Sequence, residues 1–124
     1  MPITLSGIVA TGYGAATPNL RHVMHLIEAR SGLKPLVPGT LNVRLTQSYR
    51  VVPDFVVTRA EYNQQEEIRF QLCTLAGIPC LIMRPDSHEL GFAHGPAHLE
   101  IMSTENLRQR LRLSDGIQIT VEVP

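Results

Sequence analysis

Gly12 and Gly14 flank a single residue, Tyr13, at the end of a β-branched run, and Thr17-Pro18 follows as a helix start. Glycines leave backbone N–H groups uncovered, and a helix N-terminus favours negative charge, so this spacing suits a phosphate. A plain strand-to-helix turn has the same pattern. Thr40 and Asn42 lie two apart in a segment whose leucine and valine face the other way. Two neutral oxygens on one strand face can hold Mg2+ if phosphates and water complete its octahedron, though a wet strand face carries such residues routinely. Glu100 stands between Leu99 and Ile101, which puts its carboxylate opposite the core-facing pair. Arg108, in the last helical stretch, is a cation of the type that grips phosphate, although a helix arginine is most often surface. His88, His94 and His98 follow an H-x5-H-x3-H spacing with Glu89 nearby, a set that three-imidazole Zn2+ chemistry can use. Cys73 and Cys80 have no CxxC spacing and read as reduced thiols within an apolar segment.

The elements that must position these groups are legible from periodicity. Residues 3–11 alternate and are β-branched, which predicts a strand. Leu20, Val23, Met24 and Ile27 recur at helical spacing after Thr17-Pro18, and Gly32 closes that helix. Pro35, Pro38 and Gly39 exclude a helix before Thr40, after which Leu41, Val43 and Leu45 alternate against Asn42 and Arg44 as a half-buried strand. Residues 51–58 and 66–75 carry further strand patterns, the second with Ile68, Phe70 and Leu72 on one face. Residues 78–83 form a short, fully buried run. The Gly-, Pro- and His-rich stretch from Arg84 to Pro96 reads as a long loop. Strand 98–102 follows, then a short helix capped by Ser103 or Thr104 with Glu105 in its favourable dipole position and Leu107 and Leu111 on its apolar side. Ser114-Asp115-Gly116 turns into a last alternating strand of Ile117, Ile119, Val121 and Val123. Six or seven strands against two helices favour a closed or nearly closed barrel.

Composition sets the class. At 124 residues, with 44% hydrophobic and 18% charged residues, the chain is expected to fold as one domain over residues 1–124. Eleven basic residues balance eleven acidic ones, so no global field recruits nucleic acid or an anionic membrane. The first residues carry neither a basic leader nor a long apolar run, and a cytoplasmic location is expected.

Four segments occur in a set order: GIVATGYG near the start, GLKPLVPGTLNV after the first helix, RPDSH, and HLEIMSTENLRQRLRLSDG toward the end. In these the chain resembles the CTP-dependent riboflavin kinases found mainly in archaea. The resemblance implies a mainly β fold, a six-stranded cradle-loop barrel with two short flanking helices. It also implies transfer of a phosphoryl group from CTP, with Mg2+, to the 5'-hydroxyl of riboflavin, giving FMN. On the same resemblance Gly12, Tyr13, Gly14, Ala15, Ala16 and Thr17, together with Glu105, Asn106, Leu107 and Arg108, contact the nucleotide. Thr40 and Asn42 hold the metal, and Ser87 and Glu100 contact the flavin. Apart from the resemblance, Glu100 is the candidate catalytic group, a general base if its carboxylate reaches the attacking hydroxyl. The kinases typically continue the glycine loop with an acidic residue, a glycine and a basic residue, where this chain has Ala15, Ala16 and Thr17. Losing that cation removes a stabiliser of charge on a transferring phosphoryl group. Two other readings therefore stand beside the kinase: a catalytically silent module that binds flavin or nucleotide, and a metalloenzyme built on His88, His94 and His98.

Overall fold

The structure is a computed structural model and describes residues 2–11, 20–89 and 95–124. Its strands are β1 (Ile3–Ala10), β2 (Leu41–Leu45), β3 (Phe55–Val57), β4 (Ile68–Leu75), β5 (Ile78–Pro85), β6 (His98–Ser103) and β7 (Gln118–Val123). They run in the order β3-β4-β5-β6-β2-β1-β7, every pair antiparallel, and a β4–β7 pairing at Thr74 and Glu122 closes six of them into a barrel. β3 is an extra strand on the edge of β4. The barrel forecast holds.

Alternation decides which side chains fill the barrel. Val9, Leu41, Val43, Leu45, Cys80, Ile82, Leu99, Ile101, Val121 and Val123 form one cluster of buried residues inside it. Cys73 and Cys80 lie opposite each other across β4 and β5, both as free thiols. Burial pushes the Cys73 thiol up to about 12, so neither metal binding nor thiolate chemistry is favoured there.

A second cluster covers the outer face, made of Leu20, Val23, Ile27, Leu36, Val57, Ile68, Phe70, Leu81, Met83 and Met102. A 3-10 turn (Arg21–Val23) leads into α1 (Met24–Ser31), and Gly32 ends the helix with φ 76°, as its role as a C-terminal cap requires. The segment after it is pinned at both sides: Leu36 N–H donates to Glu28 Oε2 at 2.8 Å, and Val37 N–H donates to Ser103 O at 2.9 Å. Those two bonds set where Thr40 enters β2.

Several local expectations need correction. Leu72 shares a face with Ile68 and Phe70 but is 37% exposed, because the outer layer covers β4 only as far as Phe70, opposite Phe55 of β3. Of residues 51–58 only Phe55–Val57 is strand. Thr58 instead forms a capping box with Glu61 and starts α2 (Arg59–Tyr62). The supposed loop after Met83 begins as strand through Pro85 and continues as α3 (Asp86–Glu89). The last helix, α4 (Leu107–Arg110), is capped by Asn106, whose side-chain oxygen accepts from Gln109 N–H, while Ser103 ends β6. The two expected helices are thus four short ones among the described residues.

Candidate active site

One row of cross-strand neighbours runs over four strands: Ala10 of β1 opposite Asn42 of β2, Asn42 opposite Glu100 of β6, and Glu100 opposite Met83 of β5. Neighbours in such a row share a face, so the end of β1, the amide of Asn42 and the carboxylate of Glu100 all lie on the outer surface of the barrel. Thr40, one residue before β2, donates its hydroxyl to Glu100 Oε1 at 3.2 Å. Asn42 Oδ1 lies 2.8 Å from His98 Nε2, and His88 Nδ1 of α3 lies 3.9 Å from Glu100 Oε2. The side chain of Glu100 is only 12% exposed. Burial raises its pKa, opposed by the Thr40 hydrogen bond and the positive charge of Arg84. A carboxylate so placed is a stronger base than a solvated one.

The same end of the barrel holds a cavity of about 150 Å3 between the start of β2 and the turn into α4. Gly39 and Thr40 line it from one side, Glu105, Asn106, Leu107 and Arg108 from the other. Its volume is below the roughly 300–1,000 Å3 of a site for a whole drug-sized ligand, so it has room for only part of one. Arg108 donates through Nη2 to Ala10 O at 3.1 Å and to Asp115 Oδ1 at 2.7 Å. Asp115 also accepts from the Thr11 hydroxyl, and these two donors, Thr11 first, lower its pKa. The guanidinium is therefore held against the strand end that precedes Gly12.

The structure brings Thr40, Asn42, Glu100 and the 105–108 turn together. Gly12, Tyr13, Gly14, Ala15, Ala16, Thr17 and His94 lie outside the described residues. Ser87 sits in α3 next to His88, with its backbone N–H donating to Glu66 Oε1 at 3.1 Å. His88 and His98 meet edge to face at 6.4 Å between ring centroids. Among the described residues no group of three His, Cys, Asp or Glu side chains is arranged to hold a metal. The donor chemistry of Thr40 and Asn42 fits a hard cation: the Thr40 hydroxyl gives its proton to Glu100 and keeps its lone pairs to accept with, and the Asn42 amide oxygen carries two lone pairs, one of them facing His98.

Arg84 was not singled out by spacing, yet it is fully buried. It donates to Tyr49 O at 2.7 Å, Pro96 O at 3.2 Å and His98 O at 3.1 Å, and pairs with Glu89 Oε2 at 3.2 Å. Glu89 in turn accepts from Val51 N–H at 2.8 Å. The signal available in sequence was a lone cation closing an apolar run, and the Arg84 network fixes the backbone from which His98 and Glu100 project. A separate cavity of about 440 Å3, lined by Ser48, Tyr49, Arg50, Arg69, Glu89 and Pro96, lies beside this network.

The family model of the CTP-dependent riboflavin kinase domain, described as domain of unknown function DUF120, matches residues 9–123. A protein named riboflavin kinase from Methanospirillum hungatei is 31% identical over 98% of this chain and 58% of its own length. Riboflavin kinases from Methanocorpusculum labreanum and Thermococcus kodakarensis are 29% and 30% identical over 96% and 94% of the chain. The chain spans a little over half the length of these relatives, 56% and 57% for the latter two. No helix among the described residues is long and apolar enough to cross a membrane.

Proposed function

Because this chain belongs to the CTP-dependent riboflavin kinase family, we propose that it transfers the γ-phosphoryl group of a nucleoside triphosphate, CTP, to the 5'-hydroxyl of riboflavin, giving FMN and CDP. The observation that carries this reading is the row Ala10, Asn42 and Glu100 with Thr40 bonded to Glu100, set beside the cavity of the 105–108 turn. A nucleotide in that cavity and a flavin along Glu100 meet at Thr40, the residue common to both.

In the transfer, the riboflavin oxygen attacks the γ-phosphorus as the bond to the bridging oxygen of the β-phosphate breaks. Glu100, its basicity raised by burial, accepts the hydroxyl proton. Arg108 and backbone N–H groups of the turn into α4 hold the phosphates in line. Thr40 and Asn42 would hold Mg2+, which would supply neutralisation of the phosphate oxygens. Ser87 and the surface around His88 bound the flavin on the side of α3.

Incubation with riboflavin, Mg2+ and each of the four nucleoside triphosphates, with FMN read by chromatography, tests the proposal. FMN formed with CTP in preference to the others supports it. The loop residues Ala15, Ala16 and Thr17 favour one second reading, a module that binds flavin and nucleotide without transfer. Stabilisation by both ligands with no FMN formed selects that module. If the missing cation limits the rate, Thr17→Lys raises turnover.

A further inference from the structure

The amide of Asn42 has two faces of opposite chemistry, and something must choose between them. Rotated by half a turn about its last bond, the side chain offers an N–H donor where it had offered an oxygen, which turns a cation ligand into a group that repels one. The structure supplies a chooser in His98. Asn42 lies opposite Glu100, and His98 precedes Glu100 by two residues on the same face, so the two side chains meet diagonally across β2 and β6. His98 Nε2 is 2.8 Å from Asn42 Oδ1. An amide oxygen only accepts, so Nε2 carries the proton in this contact.

His98 is itself held. Its residue is 6% exposed, its carbonyl accepts from Arg84 Nη2 at 3.1 Å, and its N–H donates to Gly95 O at 3.3 Å. The ring of His88 packs edge-on against it. We propose that His98 is a positioning residue for Asn42: its Nε2–H takes one lone pair of Oδ1 and so aims the other at the cation site. The inference rests on the assignment of Asn42 as a cation ligand made above, and it extends that site to a buried chain from Arg84 through His98 to Asn42. Partners of this kind behind a ligand change metal affinity by about 10–100-fold.

His98→Gln and His98→Met separate the hydrogen bond from packing, since the two side chains are alike in length and only Gln keeps an N–H donor. The readout is the Mg2+ dependence of CTP binding by isothermal titration calorimetry, with Mn2+ as a spectroscopic stand-in and riboflavin affinity by fluorescence as the reference. His98→Met is expected to weaken apparent Mg2+ affinity about 10–100-fold with riboflavin affinity retained, and His98→Gln to restore it to within a few-fold. On an Asn42→Ala background, His98→Met then adds nothing. Equal Mg2+ affinities for the Gln and Met variants, or a Met loss that persists on the Asn42→Ala background, overturns the positioning role. Should His98→Met not fold, His98→Asn, polar but too short to reach, takes its place in the same comparison. If Asn42→Ala alone leaves Mg2+ dependence unchanged, the ligand assignment falls and this inference with it. If Asn42→Ala weakens Mg2+ and His98→Met does not, only this inference falls.

Discussion

Glu100→Gln should make the protein more stable at neutral pH while depressing the proposed transfer. Folding raises the pKa of Glu100, chiefly by burial, so the folded state holds that proton more tightly than the unfolded chain does. The stability this contributes is complete below the unfolded value, about 4.3, and is lost as pH rises through the folded value. Once pH has risen past the folded value, the ionised carboxylate, with a side chain only 12% exposed, is a net cost. Gln cannot ionise, yet its oxygen still accepts the Thr40 hydrogen bond now 3.2 Å long. Replacements that relieve such functional strain commonly stabilise by about 0.5–2 kcal/mol. For a chain of this size each kcal/mol moves Tm by roughly 3–5 °C. Thermal melts of wild type and variant from pH 4 to pH 8 should nearly coincide at the acid end and diverge upward. If Glu100 is the base, FMN formation falls by about 100-fold or more. A variant that melts below wild type at pH 8, or a gap that does not change with pH, would show that the buried Glu100 carboxylate is not a cost to the fold.

Arg84→Met strips the donor from three carbonyls and leaves Glu89 without its buried partner. It should cost about 3–5 kcal/mol in urea unfolding, and adding Glu89→Gln should recover part of that, because the Glu89 carboxylate otherwise keeps only the more exposed Arg69, 3.4 Å away, as counter-charge. Gly7→Ala builds a Cβ 2.5 Å from Arg44 O and 2.8 Å from Val43 Cγ1, where β1 pairs with β2 at Leu45. Backbone must shift to admit it, so a loss of about 1–3 kcal/mol is expected by the same assay.

The barrel was legible because its strands carry strict alternation, as in Leu41-Val43-Leu45 and Val121-Val123, and a closed sheet has a definite inside. What periodicity misses is coverage from a distant layer. Leu72 has the same pattern as Phe70, and only the reach of β3 separates the exposed from the buried one. The capping of α4 by Asn106, three residues past Ser103, shows the same limit at short range: Ser103, Thr104 and Asn106 can all cap, and the length of β6 decides. In the site, two-residue spacing placed Thr40 and Asn42 correctly on one face, and alternation placed Glu100 opposite the core. His98 as the partner of Asn42 depended on the β2–β6 register, and Arg84 on the path of the chain at Tyr49 and Pro96, neither of which local sequence encodes.

Backbone amide shifts recorded by NMR as Mg2+–CTP and then riboflavin are added test most directly whether one surface serves both ligands. Perturbations are expected at Ala10, Thr40 to Asn42 and His98 to Arg108, with Thr40 responding to each ligand. Shifts centred instead on Ser48, Arg50 and Arg69 around the larger cavity, with Thr40 and Glu100 unmoved, would contradict it.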